Sequence, residues 1–199
     1  PVMSHTLLRT KIFPVADENP KTTLLLIDNF RYDQWRAISS LLRGYYDVQQ
    51  DDFYCAILPT ATQYARNAIF AGLMPLAIDK LMPNKWLNDN EEGGKNQYEE
   101  EFLRRLMSQN GKTWKFSFDK LVRPEQGRKL VDNIQRIYDA DFSVIVYNFL
   151  DILSHARTET YIIRELTEDE AAFRSLTRSW FEHSDLYTIL RLLAERGHT

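Results

Sequence analysis

Leu24-Leu25-Leu26-Ile27-Asp28-Asn29-Phe30-Arg31-Tyr32-Asp33 joins an unbroken apolar run to an aspartate, and then to a polar segment of helical composition. A continuous apolar run of this kind suits a strand buried on both faces of a parallel sheet. An aspartate at its carboxyl end lies where α/β proteins gather their ligands, in the crevice beyond the strand ends. Two further segments repeat the design. Cys55-Ala56-Ile57-Leu58-Pro59-Thr60 ends in a hydroxyl, and Val144-Ile145-Val146-Tyr147-Asn148-Phe149-Leu150-Asp151 ends in a second carboxylate, with His155 four residues on. Strand ends that deliver Asp, Thr and Asp with His suit a metallohydrolase built around an activated threonine.

The pattern between these strands is helical. Residues 5–15 read as a lead-in helix or an edge segment, and Asp17-Glu18-Asn19-Pro20 as a turn. The strand expected over 23–28 leads to a helix over 31–42 with Trp35, Ile38, Leu41 and Leu42 on one face, ended by Gly44. A second strand, 53–58, precedes a helix over 61–71 that stops at Gly72 and Pro75. Residues 78–87 are ambiguous, and 88–96 (NDNEEGGKN) read as a loop. A helix over 99–107 is closed by the Asn110-Gly111 turn, and its acidic start, Glu99-Glu100-Glu101, reads as solvated. Trp114, Phe116 and Phe118 alternate with polar neighbours, predicting a half-buried strand over 113–118.

Pro124 opens a helix to Tyr138, and 142–149 form the third long apolar strand. Thr167-Glu168-Asp169-Glu170 reads as a capping box for a helix to about Phe181, and Ser184 or Asp185 caps the last helix. Strands alternating with helices imply an α/β fold, a mostly parallel sheet flanked by helices on both faces.

At 199 residues, one α/β domain is the natural reading. A net charge of -3 argues against a nucleic-acid binder with a broad cationic surface, although bound cations can reverse the field inside one cleft. The single cysteine, Cys55, allows no intrachain disulfide, fits a reducing cytoplasm, and reads as a small buried hydrophobe. No signal peptide is evident, and no apolar run approaches the roughly 18–20 residues that span a membrane, so no membrane insertion is expected. The start at Pro1 and the stop at Thr199, where another strand would follow the last helix, suggest an incomplete fragment.

Asp151 and His155 are spaced i,i+4, so on a helix they point the same way and can hold one divalent ion, or equally form a surface pair. Asp28 also suits a helix N-cap, and Thr60 a cap for the helix after it. Beside a metal, Thr60 would instead be an activated nucleophile, with helix N–H groups facing phosphate oxygens. Arg31 and Arg66 are candidate phosphate clamps, assisted by Asn67 and Asn148, or else belong to solvated helix faces.

Three ordered motifs resemble the PglZ domains of the alkaline phosphatase superfamily. Ile27-Asp28-Asn29-Phe30-Arg31-Tyr32-Asp33-Gln34-Trp35 is similar to the opening motif. Pro59-Thr60-Ala61-Thr62-Gln63-Tyr64-Ala65-Arg66-Asn67, with Phe70-Ala71-Gly72-Leu73-Met74-Pro75, is similar to the nucleophile segment. Tyr147-Asn148-Phe149-Leu150-Asp151-Ile152-Leu153-Ser154-His155 is similar to the second metal motif. The likeness covers nearly the whole chain, residues 1–199 as one alkaline-phosphatase-like domain. It is greatest to the output domain of PorX-type response regulators, which accompany type IX secretion in Bacteroidetes.

The resemblance implies a two-zinc phosphohydrolase, a phosphodiesterase acting on nucleotides or oligonucleotides. Asp28 and Thr60 would belong to the first ion, with Thr60 as nucleophile, and Asp151 and His155 to the second. Manganese would also suit so carboxylate-rich a site. The likeness further implies a cytoplasmic regulator with a sensor kinase and a sigma factor as partners, and it admits a homodimer. Family members carry a Thr-Asp-His-Gly-like motif and a later histidine that this chain does not contain, so the chain as given is expected to be inactive. His198, His183 and His5 are expected to be structural. The other class of reading is a non-catalytic signalling or dimerisation module that keeps the motif as scaffold.

Overall fold

The computed structural model describes residues 1–86 and 96–199, without the side chains of Phe149, Asp151, Ile152 and Thr158. The loop expected over 88–96 lies outside the described residues, Asn96 excepted. In chain order the helices are α1 (Phe13–Glu18), α2 (Tyr32–Leu42), α3 (Thr62–Ala71), α4 (Pro75–Leu81), α5 (Glu99–Gln109), α6 (Pro124–Asp132), α7 (Gln135–Tyr138), α8 (Phe149–Glu159), α9 (Tyr161–Leu166), α10 (Glu170–Glu182) and α11 (Asp185–Glu195). The strands are β1 (Thr22–Ile27), β2 (Phe116–Leu121) and β3 (Phe142–Tyr147). The chain divides into two compact units, residues 1–19 with 50–114, and residues 20–49 with 115–199.

The second unit holds the sheet, parallel throughout in the order β1-β3-β2, with helices around it. β3 takes the centre because Phe-Ser-Val-Ile-Val-Tyr can be buried along its whole length, and every residue of it is buried. Its one serine is met within the sheet: Ser143 lies opposite Ser117 of β2 and accepts its hydroxyl hydrogen bond at 3.0 Å. β2, with Asp119 and Lys120, takes an edge. The register is level, Thr22 and Phe116 flanking Phe142, and Ile27 and Leu121 flanking Tyr147. One sheet face, carrying Leu25, Ile27, Ile145, Tyr147 and Leu121, packs with Ile38 of α2, Leu130 of α6, Phe181 of α10, and Leu186 and Ile189 of α11.

A buried polar chain joins α2 to α10. The Gln34 amide donates to Thr177 Oγ1 at 3.0 Å, and that hydroxyl donates to the Phe173 carbonyl at 2.9 Å. Gln34 Oε1 meanwhile accepts from the Arg31 N–H at 3.0 Å, which closes the start of α2. The last helix is closed at Gly197. Gly197 is left-handed (φ 70°), and the N–H groups of Gly197 and His198 donate to the carbonyls of Ala194 and Leu193. Thr199 then donates to the Lys21 carbonyl at 3.2 Å and accepts from the Thr23 N–H at 2.8 Å, a parallel-ladder exchange on the outer edge of β1.

The first unit is helical. A π-helical turn, Leu8–Ile12, runs into α1, so the lead-in segment is helix. Phe13 meets Trp114 edge-on, ring centroids 5.5 Å apart. α3 packs on α5. Gly72 ends α3 in the left-handed region (φ 64°), and a Cβ there would stand 2.5 Å from Leu106 Cδ1 of α5.

Several expectations are corrected. Residues 53–58 form no strand. Phe53 is 75% exposed, Leu58 is 84% exposed, and Ile57 alone of the run is buried. Asp52 accepts from Lys11 at 2.6 Å and from the Phe53 N–H at 2.9 Å, while Cys55 bridges to Met3. Cys55 is therefore exposed, not buried. The strand expected over 113–118 begins at Phe116, where its register with Phe142 begins, and Asp141 Oδ2 accepts the Lys115 N–H at 2.8 Å just before it. The helix expected over 124–138 is two helices. Asn133 Nδ2 donates to the Lys129 carbonyl at 2.8 Å, and such local side-chain bonding competes with the helix. Finally, α10 is capped by Asp169, whose Oδ1 accepts from the Ala172 N–H at 2.7 Å, while Thr167 donates back to Ile163 and closes α9.

Candidate functional site

The carboxyl edge of the sheet is built by its level register. Directly after β1, the Asp28 N–H donates to the Tyr147 carbonyl at 2.9 Å. Directly after β3, the Asn148 N–H donates to the Leu121 carbonyl at 3.1 Å. Asp28 and the start of α8 are thereby pinned on adjacent strands. Asn29 follows at φ 55°, a conformation asparagine tolerates, and turns the chain toward α2. Asp28 and Asn148 are half-buried.

α8 carries Asp151 in its first turn and His155 one turn on, so the i,i+4 spacing becomes one helix face. The His155 side chain is 66% exposed, and its Nδ1 lies 3.9 Å from Glu159 Oε1. Among the described residues no group of three or more His, Cys, Asp or Glu side chains is placed to hold a metal ion. The donor types are those that a divalent transition-metal ion takes. By residue type, the aspartate after β1 and the Asp and His positions one turn apart on α8 would supply the mixed oxygen and nitrogen ligands such ions take.

Thr60 belongs to the first unit. It is exposed and precedes α3, whose N-cap is Ala61 with no capping side-chain hydrogen bond. Thr60 is thus not the cap of this helix. Its N-cap residue, Ala61, offers no side chain to the first-turn N–H groups, and a helix N-terminus of this kind favours an anion. Gln63 and Asn67 stand one turn apart on α3, 8% and 4% exposed, and Gln63 Oε1 and Asn67 Oδ1 have no hydrogen-bond partner among the described residues.

Both arginines have carboxylate partners. Arg31 grips Asp33 with two bonds, Nε to Oδ1 at 2.9 Å and Nη2 to Oδ2 at 2.5 Å, and reaches Glu170 of α10 at 2.5 Å. Arg174 adds a contact to Asp33 at 3.2 Å. The Arg31 guanidinium holds the Asp33 carboxyl well below the usual carboxylate range, at about 2. Arg66 is 4% exposed and grips Glu99 of α5, Nε to Oε1 at 2.5 Å and Nη2 to Oε2 at 3.0 Å. Glu99 is 1% exposed, so the solvated helix start expected there is corrected at its first residue. An arginine followed by Ala68, Ile69 and Phe70 on a buried helix was the available sign that a carboxylate had to be near.

His198 is buried, with Nδ1 3.3 Å from Thr23 Oγ1, and burial together with nearby Lys21 pushes its pKa down. It closes α11, as expected of a helix-end residue.

The family model for the "BREX system PglZ alkaline phosphatase-like domain" matches residues 7–198, a span that runs through both units. No curated protein matches the chain.

Proposed function

The chain belongs to the PglZ family of alkaline-phosphatase-like domains, and from that membership we propose that it is a phosphodiesterase domain acting on nucleotides or oligonucleotides. The observation that carries the reading is the pinning of Asp28 beside the first turns of α8 at the carboxyl edge of three level strands. We read both compact units as parts of one domain of this family.

In this reading Thr60 Oγ attacks phosphorus, loses its proton, and displaces the ester oxygen, and water later frees the phosphoryl group from the threonine. The uncapped N–H groups of the first turn of α3 donate to the phosphoryl oxygens. Asn67 would add a hydrogen bond from α3, while Arg66, engaged with Glu99, positions α3, and Arg31, engaged with Asp33 and Glu170, positions α2. Two zinc ions are assigned to the intact domain, with Asp28, Asp151 and His155 among their ligands. When bound, such ions would polarise a phosphoryl oxygen and neutralise charge at phosphorus.

The test is hydrolysis of bis-p-nitrophenyl phosphate with zinc or manganese supplied, by this chain and by one extended past Thr199. The extended form should turn over substrate, and Thr60→Ala should abolish turnover while leaving circular dichroism unchanged. A folded, fully active Thr60→Ala protein refutes the threonine mechanism.

The exposed His155 beside Glu159 favours a second reading. Here the domain is the output module of a PorX-type response regulator in type IX secretion, cytoplasmic, homodimeric, and engaged by a sensor kinase and a sigma factor without catalysis. Binding of such partners with no turnover in the zinc-loaded extended protein would select it.

A further inference from the structure

Beyond the carboxyl ends of β2 and β3 lies a cavity of about 350 Å³, inside the range that takes small-molecule ligands. Tyr147 and Trp180 form its aromatic side, ring centroids 5.6 Å apart. Val122, Arg123, His183 and Asp185 also line it. The cavity borders the edge that carries Asp28: the carbonyl of Tyr147, which lines it, accepts the Asp28 N–H at 2.9 Å, and Trp180 packs on the same Leu150–Phe173 cluster as Ile27 and Phe30.

Ser184 in the lining is used by the fold, capping α11, whereas Arg123, His183 and Asp185 keep capacity for a ligand. Arg123 is exposed, and its guanidinium makes no hydrogen bond or ion pair among the described residues. His183 Nδ1 donates to the Ser179 carbonyl at 2.7 Å, which leaves the lone pair of Nε2 on the neutral ring as an acceptor. The Asp185 carboxylate faces Tyr147 closely enough to help burial hold its hydroxyl pKa up at about 12. α6 and α11 are close here because Gly127 has no Cβ; one would stand 2.9 Å from Asp185 Cβ.

We propose that this cavity seats the nucleobase of a nucleotide whose phosphate lies at the Asp28 edge, an assignment that rests on the phosphoester-hydrolase reading. Flat aromatic walls suit a base face. A guanidinium donor with imidazole and carboxylate acceptors suits the mixed donors and acceptors of a base edge, whereas an alkyl or phenyl group would leave these groups unpaired.

The test is calorimetric binding of AMP and of ribose 5-phosphate to the chain, and to Arg123→Ala and His183→Ala variants, both changed at exposed positions. Base stacking predicts that AMP binds roughly ten-fold tighter or more, and that Arg123→Ala, His183→Ala or both reduce that preference while melting as the parent does. Equal affinities for the two ligands, or a preference untouched in both variants, overturns the proposal. A protein that hydrolyses bis-p-nitrophenyl phosphate without distinguishing AMP from ribose 5-phosphate refutes the base pocket alone. One that shows the Arg123-dependent preference but hydrolyses no phosphoester refutes the catalytic reading and retains the pocket.

Discussion

Replacing Arg66 by methionine leaves Glu99 charged, 1% exposed, and without the two short bonds at 2.5 and 3.0 Å that compensate its burial. Removing one partner of a buried pair costs about 3–5 kcal/mol, because the remaining charge is stranded in a medium that solvates it poorly. Glu99→Met in turn takes from the buried Arg66 guanidinium the two carboxylate oxygens that it grips. With both replaced by methionine no charge is stranded, and apolar pairs of similar volume are about as stable as the ion pair. Urea denaturation, followed by circular dichroism and tryptophan fluorescence, should therefore show a non-additive cycle. Each single variant should fall by roughly 2 M in midpoint, taking about 2 kcal/mol per M for the slope, and the double variant should recover most of that loss. The cycle also separates two roles for Arg66. A structural arginine gives this recovery, whereas a phosphate clamp gives a small stability change and a large loss of substrate affinity. A single variant costing under about 1 kcal/mol, as surface pairs do, refutes the buried-pair argument. So does a double variant that falls by the sum of the singles.

Gly72→Ala should destabilise the chain, since the left-handed conformation costs an alanine about 1–2 kcal/mol and the new methyl must displace Leu106 Cδ1; a melting point lowered by at least ~2–4 °C is expected. Ser184→Ala removes the acceptor of the Tyr187 N–H at 3.2 Å, and should cost about 1 kcal/mol in a denaturant titration. The Asp33 carboxyl is depressed in the folded state, so its contribution is present above the unfolded pKa and lost as pH falls through the folded one. The stability gap between the parent and Asp33→Asn should thus be constant above about pH 5 and close between about pH 4 and pH 2. A gap that persists at pH 2 would show that Asp33 acts otherwise than through its charge.

β1 and β3 were legible because a strand buried on both faces must be apolar without interruption, and few other segments of this chain are. The same rule misread 53–58, where the apolar residues are adjacent but not buried together. Asp51 and Asp52 stand just before it, and Lys11, 41 positions earlier, holds Asp52 out of any sheet. The Arg66–Glu99 pair was hidden for a related reason. Arg66 needed a buried carboxylate, but 33 positions and a second helix separate it from the one it uses. The pocket over Tyr147 draws on β3, the start of α6, and the junction of α10 with α11, so no local pattern announces it.

The motif Asp28, Asn148, Asp151, His155 was legible as a set of residue types, yet its meaning depends on register. Side chains of a strand alternate between faces, so moving β1 by one residue against β3 would turn Leu25 and Ile27 out of the core that contains Ile145 and Tyr147. Leu24 and Leu26 are equally apolar, and nothing in Thr-Thr-Leu-Leu-Leu-Ile selects one alternation over the other. Selection comes from the ends. The Thr22 N–H binds the Asp141 carbonyl at 3.0 Å at one end, and the Asp28 N–H binds the Tyr147 carbonyl at 2.9 Å at the other. The bond that completes the ladder is thus the one that fixes Asp28 beside Asn148 and the first turn of α8, and the stability of the strand and the placement of the candidate ligand are set by the same contact.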